Sequence, residues 1–295
     1  VTRRVVNGVP AASWPVRVLK GVVLVVFCAV VVLPFVGVVA TSVAPARQID
    51  EAGGLVLIPH SVSLDAYRSL FAGGVVTRAL GISVFVTVVG TLLSLTVSAL
   101  LAYALSRREF VGRRPMLLIV LFSMLFSPGM IPLYLTVKDV GLLDSVWALI
   151  VPTMVSAFNV VVLRAFFANL PRELLESARI DGAGELRTFA HIVLPLSRAV
   201  LSVVGLFYAV GYWNAFFSAL LYLNDSTLWP LQLVLRTYVV NSTAMGGAEL
   251  GTEQLPPQAA IQMAILVVSI VPILIVYPFL QRHFTKGVLT GAVKG

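Results

Sequence analysis

Residues 171–195 read PRELLESARIDGAGELRTFAHIVLP, and this stretch decides how the rest of the chain is read. Arg172, Glu173, Glu176, Arg179, Asp181, Glu185, Arg187 and His191 crowd into it, while the sequence on either side is apolar for a membrane's width. So much charge is costly in hydrocarbon, so the stretch is a loop in water, where a soluble partner can reach it. Pro171 suits the first turn of a helix, where its missing N–H is no loss, and Asn169 just before it can cap. Glu173 then falls at the positive end of the helix dipole. Asp181-Gly182 is a turn pair, and Gly184 adds freedom before a second helix that ends at Pro195. The expected product is a helix, a tight turn and a helix. On the first helix Leu174, Ser177 and Ala178 offer a small-residue surface on which another protein could pack, flanked by Glu176 and Arg179 at i, i+3. A solvated charged cap on a helical bundle explains the same residues equally well.

The flanking composition places that loop in a membrane protein. The chain is 59% hydrophobic with a mean hydropathy of +0.98, far above a soluble domain. A hydrocarbon core about 30 Å thick takes roughly 20 helical residues, so 295 residues with short loops hold about six spans. The fold class expected is therefore all-α integral membrane with six transmembrane helices. The lone cysteine, Cys28, has no partner for a disulfide or a metal site and reads as a small apolar side chain.

The spans follow in order. Residues 1–18 read as a tail, and 19–43 as a first span; its apolar run exceeds 20 residues, longer than the core of a signal peptide, so it is read as retained. Residues 44–77, with Pro45, Pro59 and two Gly-Gly pairs, read as an external loop holding a short amphipathic helix, SLDAYRSLF, capped by Ser63. Further spans are expected at about 79–105, 115–137, 145–167, 199–223 and 259–280, within a membrane domain of about 75–282. The span at 115–137 is interrupted by Ser127-Pro128-Gly129 and Pro132 and should kink or break. Residues 169–195 form the charged loop, 224–258 a second long polar loop, and 283–295 a closing tail.

Charge placement orients this plan. With the N-terminus inside, 16 of the 21 Lys and Arg fall on the cytoplasmic side and five outside, which puts both termini and the 169–195 loop in the cytoplasm. The formal charge of +8 is thus a matter of topology rather than of nucleic-acid binding.

Equally informative is what the spans lack. None contains Asp or Glu, and His60, His191 and His283 lie outside them, which disfavours an ion-coupled transporter. There is no G-x-x-x-x-G-K-[ST] phosphate loop, so any ATP-driven work draws on a partner. The chain itself offers no catalytic residues, cofactor site or metal site, and is read as not an enzyme. The polar features of the bundle are aromatic and amide groups. Tyr208, Tyr212 and Phe216 recur at i, i+4, with Trp213, Asn214 and Ser218 beside them, and Asn159 lies in the fourth span. Aromatic faces with a few hydrogen-bonding groups suit a sugar; helix packing with an aromatic belt accounts for the same residues.

The loop also carries a resemblance. Glu176-Ser177-Ala178, Asp181-Gly182-Ala183, Phe189, Ile192 and Leu194-Pro195 strongly resemble the EAA motif of ABC importer permeases, E-A-A-x-x-x-G followed by I-x-L-P. Ser177 departs from the usual alanine, and Ala199 stands near where many members carry a proline. The surrounding RAFFANLPRELLESARIDGA, YWNAFFSALLYLND and QRHFTKGVLTGAVKG are similar to carbohydrate-uptake permeases, the MalG-like group and its LplC/YtcP-like branch, over roughly 74–295. The resemblance implies the type I importer permease fold and a multi-pass subunit of the bacterial inner membrane. It also implies that Glu176, Ser177, Ala178, Asp181, Gly182 and Ala183 couple to ATPases. The implied partners are a second permease, two ATPase subunits that bind the ATP, and an extracellular solute-binding lipoprotein facing 224–258. The implied cargo is a sugar or oligosaccharide; a peptide or amino acid is the alternative within the same machine. Tyr208, Tyr212, Trp213, Asn214 and Asn159 are the candidate path residues.

Overall fold

Long apolar runs without acids become helices because a bilayer leaves no other home for backbone N–H and C=O groups. The computed structural model describes residues 5–6, 9–10, 14–252 and 255–291, with side chains for 14–252 and 255–278. Beyond a two-residue antiparallel pairing of β1 (Val5–Val6) with β2 (Val9–Pro10), the regular structure among the described residues is helical. Two compact units divide the chain, Val1–Ala72 with Met245–Val267, and Gly73–Ala244 with Val268–Gly295.

In the first unit α1 (Trp14–Ser42) exposes most of its length, the surface a lipid-facing helix presents, and buries only its last turns. Those turns hold the segment that follows. Thr41 Oγ1 accepts from Val56 N at 2.8 Å and donates to Val56 O at 3.2 Å. Ser42 and Tyr67 share a hydroxyl hydrogen bond of 2.8 Å, which fixes α3 (Asp65–Ala72) after the short α2 (Ala46–Glu51). Ser63 Oγ accepts from Asp65 N at the start of α3, as its sequence predicts.

The second unit is built on α4 (Val75–Ser106), a 32-residue apolar helix against which most of the unit packs. Its buried face is small: Ala79, Ser83, Gly90, Ser94, Ser98, Ala99 and Ala102 let neighbouring backbones approach closely. The span expected at 115–137 is two helices, α5 (Arg113–Leu125) and α6 (Met130–Asp139), of 13 and 10 residues. They part at Phe126–Gly129, where Pro128 removes a backbone donor and Gly129 takes φ 86°. The span expected at 145–167 is α7 (Trp147–Ile150), a 3₁₀ turn Val151–Thr153 containing Pro152, and α8 (Ala157–Ala168), bent by 51°.

After α9 (Arg172–Ile180), α10 (Glu185–Thr188), a π-helical turn Phe189–Val193 and α11 (Leu194–Leu196) lead into α12 (Arg198–Trp213). The segment Glu185–Leu196 meets α12 at 85°. The span expected at 199–223 therefore consists of α12 and a separate α13 (Phe216–Tyr222). Phe216 thus does not continue the face of Tyr208 and Tyr212. The polar stretch beyond contains α14 (Leu231–Leu235) and, in the first unit, α15 (Gly247–Leu250); α16 (Gln258–Gly291) closes the chain. Among the described residues three helices are long and apolar enough to cross a membrane, or five if each bent pair is one span. The all-helical membrane fold of the sequence reading stands and the expected break in the 115–137 span is present, while two more of the expected spans, 145–167 and 199–223, are broken as well.

Candidate functional site

Two features of the second unit draw attention, the charged loop and a cavity higher along the same helices. In the loop, α9 stops as its sequence requires. Ala183 N bonds Ala178 O at 2.9 Å and Gly182 N bonds Arg179 O at 3.0 Å, the paired bonds that close a helix on a left-handed residue. Gly182 supplies it with φ 74°. Asn169 does not cap α9; its Nδ2 donates to Ala165 O at 2.9 Å and closes the preceding helix instead, and Pro171 occupies the cap position.

Glu176, Ser177, Asp181 and Gly182 are exposed along the loop, and Ala183 is half-buried. Ala178 is 6% exposed, so its small side chain packs inward against its own chain. The most exposed apolar groups of the loop are Ile180 at 86% and Leu186 at 76% exposure, flanking the turn, with Leu174 less exposed on α9. Neither Ile180 nor Leu186 was singled out from sequence, although an isoleucine and a leucine beside an exposed Asp-Gly turn are a readable signal.

The loop is fastened to the end of α4 by a network that sequence spacing did not reveal. Arg179 does not pair with Glu176 at i−3. Its guanidinium reaches Glu109, 70 residues away, with Nη1 to Oε1 at 3.0 Å and Nη2 to the other oxygen, and Nη2 also donates to Glu185 at 3.0 Å. On the far side of Glu185, Tyr103 OH donates at 2.6 Å, and Arg107 lies 3.4 Å away while covering the Tyr103 ring. Phe189 packs on that ring at 5.0 Å. The Arg179 hydrogen bonds hold the Glu109 carboxyl below the usual carboxylate range, and the Tyr103 hydroxyl does most to hold down Glu185 against its partial burial. Nearby, the carbonyl of Leu105 accepts from Arg113 at 3.0 Å and Arg164 at 3.1 Å, which places cations at the negative end of α4.

Higher on α4, two serines hold two tyrosines of α12. Ser98 Oγ and Tyr208 OH are 2.6 Å apart, and Tyr208 OH accepts from Ser156 N at 3.0 Å. Ser94 Oγ and Tyr212 OH are 2.7 Å apart, and Tyr212 OH reaches Ile150 O at 3.3 Å. Gly90 leaves room for the Tyr212 ring. The tyrosine hydroxyls are thus occupied within the chain, and these residues join α4, α8 and α12.

The other side of the same tyrosines borders a cavity of about 500 Å³. It lies where two spans break. From the first break come Leu149, Thr153, Ser156, Phe158 and Asn159; from the second come Phe207, Gly211, Ala215 and Ser218. The second break is local: Phe216 N bonds Asn214 O at 2.8 Å across Ala215, at φ −75° and ψ 71°, an inverse γ-turn. Asn159, Tyr208 and Tyr212 of the five candidate path residues line the cavity; Trp213 and Asn214 do not. Asn214 turns its amide back to Val210 O at 2.9 Å. No cluster of His, Cys, Asp and Glu able to hold a metal occurs among the described residues.

The comparisons agree with this architecture. The family model described as binding-protein-dependent transport system inner membrane component matches residues 94–290. The polygalacturonan/rhamnogalacturonan transport system permease protein YtcP of Bacillus subtilis (strain 168) is 50% identical over 274 residues, 92% of this chain and 96% of that protein. The arabinooligosaccharides transport system permease protein AraQ of Halalkalibacterium halodurans is 32% identical over 290 residues, 97% of this chain and 98% of that one. Among solved structures, a chain of a bacterial ABC transporter involved in the import of the acidic polysaccharide alginate superposes with a TM-score of 0.84 at 29% identity, covering 93% of this chain and 99% of that chain.

Proposed function

Because the chain belongs to the family of binding-protein-dependent transport system inner membrane components, we propose that it is the permease subunit of an ABC importer that passes a sugar or oligosaccharide into the cytoplasm. The single observation that carries this reading is the helix–turn–helix at 171–195. It is exposed and charged, closed by Gly182, and set across the following span at 85°. If α12 crosses the bilayer, Glu185–Leu196 runs along its surface, the placement from which a soluble motor can push. The excess of Lys and Arg on that side supports a cytoplasmic loop and cytoplasmic termini, in a multi-pass protein of the bacterial inner membrane.

The partners follow from the same reading. Two cytoplasmic ATPase subunits hydrolyse the ATP, one of them docking on Glu176, Ser177, Asp181 and Gly182, with Ile180 and Leu186 as the apolar contacts. Ala178 and Ala183 shape the turn from inside. A second permease completes the membrane path, and an extracellular solute-binding lipoprotein delivers cargo to the 224–258 side. This chain supplies no covalent chemistry.

Movement of the loop passes to α4 through Arg179, Glu109, Glu185 and Tyr103. From Tyr103 to Ser94 is nine residues of one helix, about 14 Å of rise, and there the serines hold Tyr208 and Tyr212 at the cavity wall. A stiff helix bonded at both places lets a displacement at the cytoplasmic face alter the cavity.

ATP-driven uptake into proteoliposomes carrying the complete importer tests this. Glu176→Lys should abolish uptake and association with the ATPase while leaving membrane insertion and pairing with the second permease intact. Undiminished uptake would remove the loop from the mechanism, and uptake that follows a proton gradient at constant ATP would replace the importer with an ion-coupled carrier.

A further inference from the structure

We propose that the cavity between the two helix breaks is a subsite for an uncharged sugar ring, with Asn159 as the residue that reads its hydroxyls; this rests on the importer reading above. Asn159 is 4% exposed, lines the cavity, and is placed by the first break, where its backbone N–H bonds Ser156 Oγ at 3.4 Å. Its carboxamide, with two donors and an acceptor, has no hydrogen-bond partner among the described residues. Its polar atoms are not sealed in the protein but open onto the cavity, where a hydroxylated ligand or water can meet them.

The other polar groups sort the same way. Tyr208 and Tyr212 have spent their hydroxyls on Ser98, Ser94, Ser156 N and Ile150 O, so they offer ring surface rather than O–H groups. Ser218 lines the cavity with a hydroxyl that has no partner among the described residues, and the Ser156 hydroxyl accepts from Asn159 N with its own proton undirected. The Thr153 hydroxyl donates to Leu149 O at 3.1 Å, and the remaining walls are mostly apolar, including Phe158 and Phe207, whose rings lie 6.4 Å apart. An amide and two hydroxyls set in aromatic walls match a molecule with C–H faces and hydroxyl edges, and about 500 Å³ falls within the range of small-molecule sites.

The charge of the ligand is also constrained. No Arg, Lys or His lines the cavity, so a uronate carboxylate placed here gains no counter-charge from its walls. The ring held by this chain is therefore neutral. That separates it from the importer of the structural comparison, which carries an acidic polysaccharide, and equally from YtcP, whose polygalacturonan cargo is built of acidic galacturonate units.

The test labels the cavity directly in the assembled importer. Cys28→Ser removes the one native thiol of this chain, and Ala215→Cys places a reporter on the cavity wall, its labelling read on this chain alone after the subunits are separated. Labelling by N-ethylmaleimide is then timed with arabinotriose, galactotriose or galacturonotriose present. At least one neutral trisaccharide should slow labelling about tenfold more than galacturonotriose does, and Asn159→Leu should remove that protection, the scale of one or two lost hydrogen bonds. Asn159→Ala serves if the leucine variant does not assemble. Equal protection by galacturonotriose, no protection by either neutral sugar, or full protection in the Asn159 variants overturns the proposal. ATP-driven uptake in the same vesicles separates the two readings. Uptake without protection overturns the subsite and leaves the importer standing, whereas protection without uptake overturns the importer and leaves the subsite.

Discussion

Gly90→Ala is the most direct probe of the contact between α4 and the cavity wall. A Cβ on Gly90 would lie 2.8 Å from Tyr212 Cε2, 2.9 Å from Cζ and 3.0 Å from Cδ2. Carbon atoms rest at about 3.5–4.0 Å, so the ring must retreat by about 0.7 Å. It cannot do so freely, because its hydroxyl is tied to Ser94 at 2.7 Å and Ile150 O at 3.3 Å, and the longer bond breaks first. Overpacking of this kind costs about 1–3 kcal/mol. The lost hydrogen bond adds about 1 kcal/mol, and the better helix propensity of alanine returns about 1 kcal/mol. The net destabilisation expected is about 1–3 kcal/mol, read as a lower thermal midpoint of the detergent-purified importer. In a Tyr212→Ala background the obstacle is gone, so Gly90→Ala should become neutral or slightly stabilising. Equal loss of stability in both backgrounds would refute the reasoning, since the cost could then not arise from this ring.

Three further outcomes are expected. Gly182 has φ 74° and nothing within 4 Å of a built Cβ, so only its backbone conformation is at stake: Gly182→Asn should keep most uptake and Gly182→Val should lose it, with insertion unchanged, as measured in proteoliposomes. Glu109 and Glu185 have lowered carboxyl pKa values, so their contribution is complete above the unfolded value of about 4.3 and is lost as pH falls through the lower folded values. Thermal stability should therefore show no slope from this network between about pH 8 and 5 and a fall below about pH 4, and Glu109→Gln should flatten that fall. Asp144 holds φ 53° while its carboxylate accepts from Asn224 N, Asn224 Nδ2 and Asp225 N; Asp144→Ala should lower the thermal midpoint more than Asp144→Gly, which loses the same bonds but relieves the backbone.

What the sequence disclosed and what it concealed divide by range. Local chemistry was legible: the Asp181-Gly182 turn, the break at Pro128, the capping of α3 by Ser63, and the apolar runs that exclude a soluble fold. Each is decided within a few residues by missing donors, left-handed glycine or hydrophobic length. Long-range pairing was not. An i, i+3 reading put Arg179 beside Glu176, whereas Glu109 and Glu185 take the guanidinium because the fold brings the end of α4 against α9. The break at Asn214–Ala215 carries no proline or glycine, so the periodic Tyr208, Tyr212 and Phe216 looked like one face. The amide of Asn169 was free to serve either neighbouring helix, and geometry settled it on Ala165 O.

The broken helices explain why the candidate cavity and the loop belong to one device. A continuous span satisfies its own backbone and presents only side chains; a span interrupted at Met154–Ser156 or Asn214–Ala215 leaves room and polar groups at the interruption. Such interruptions are also where a helix bends most readily. The 85° turn before α12 places a third irregular segment, the π-helical turn and Leu194-Pro195, between the loop and the tyrosines. In the proposed importer, force applied at Ile180 and Leu186 would have two routes to the cavity, one through this turn and one through the Arg179 network to α4. Cutting only the second, with Glu109→Gln and Tyr103→Phe together, should leave the loop docked on its ATPase and ATP hydrolysis intact, while uptake per ATP falls. Unchanged stoichiometry would mean that the turn alone carries the motion.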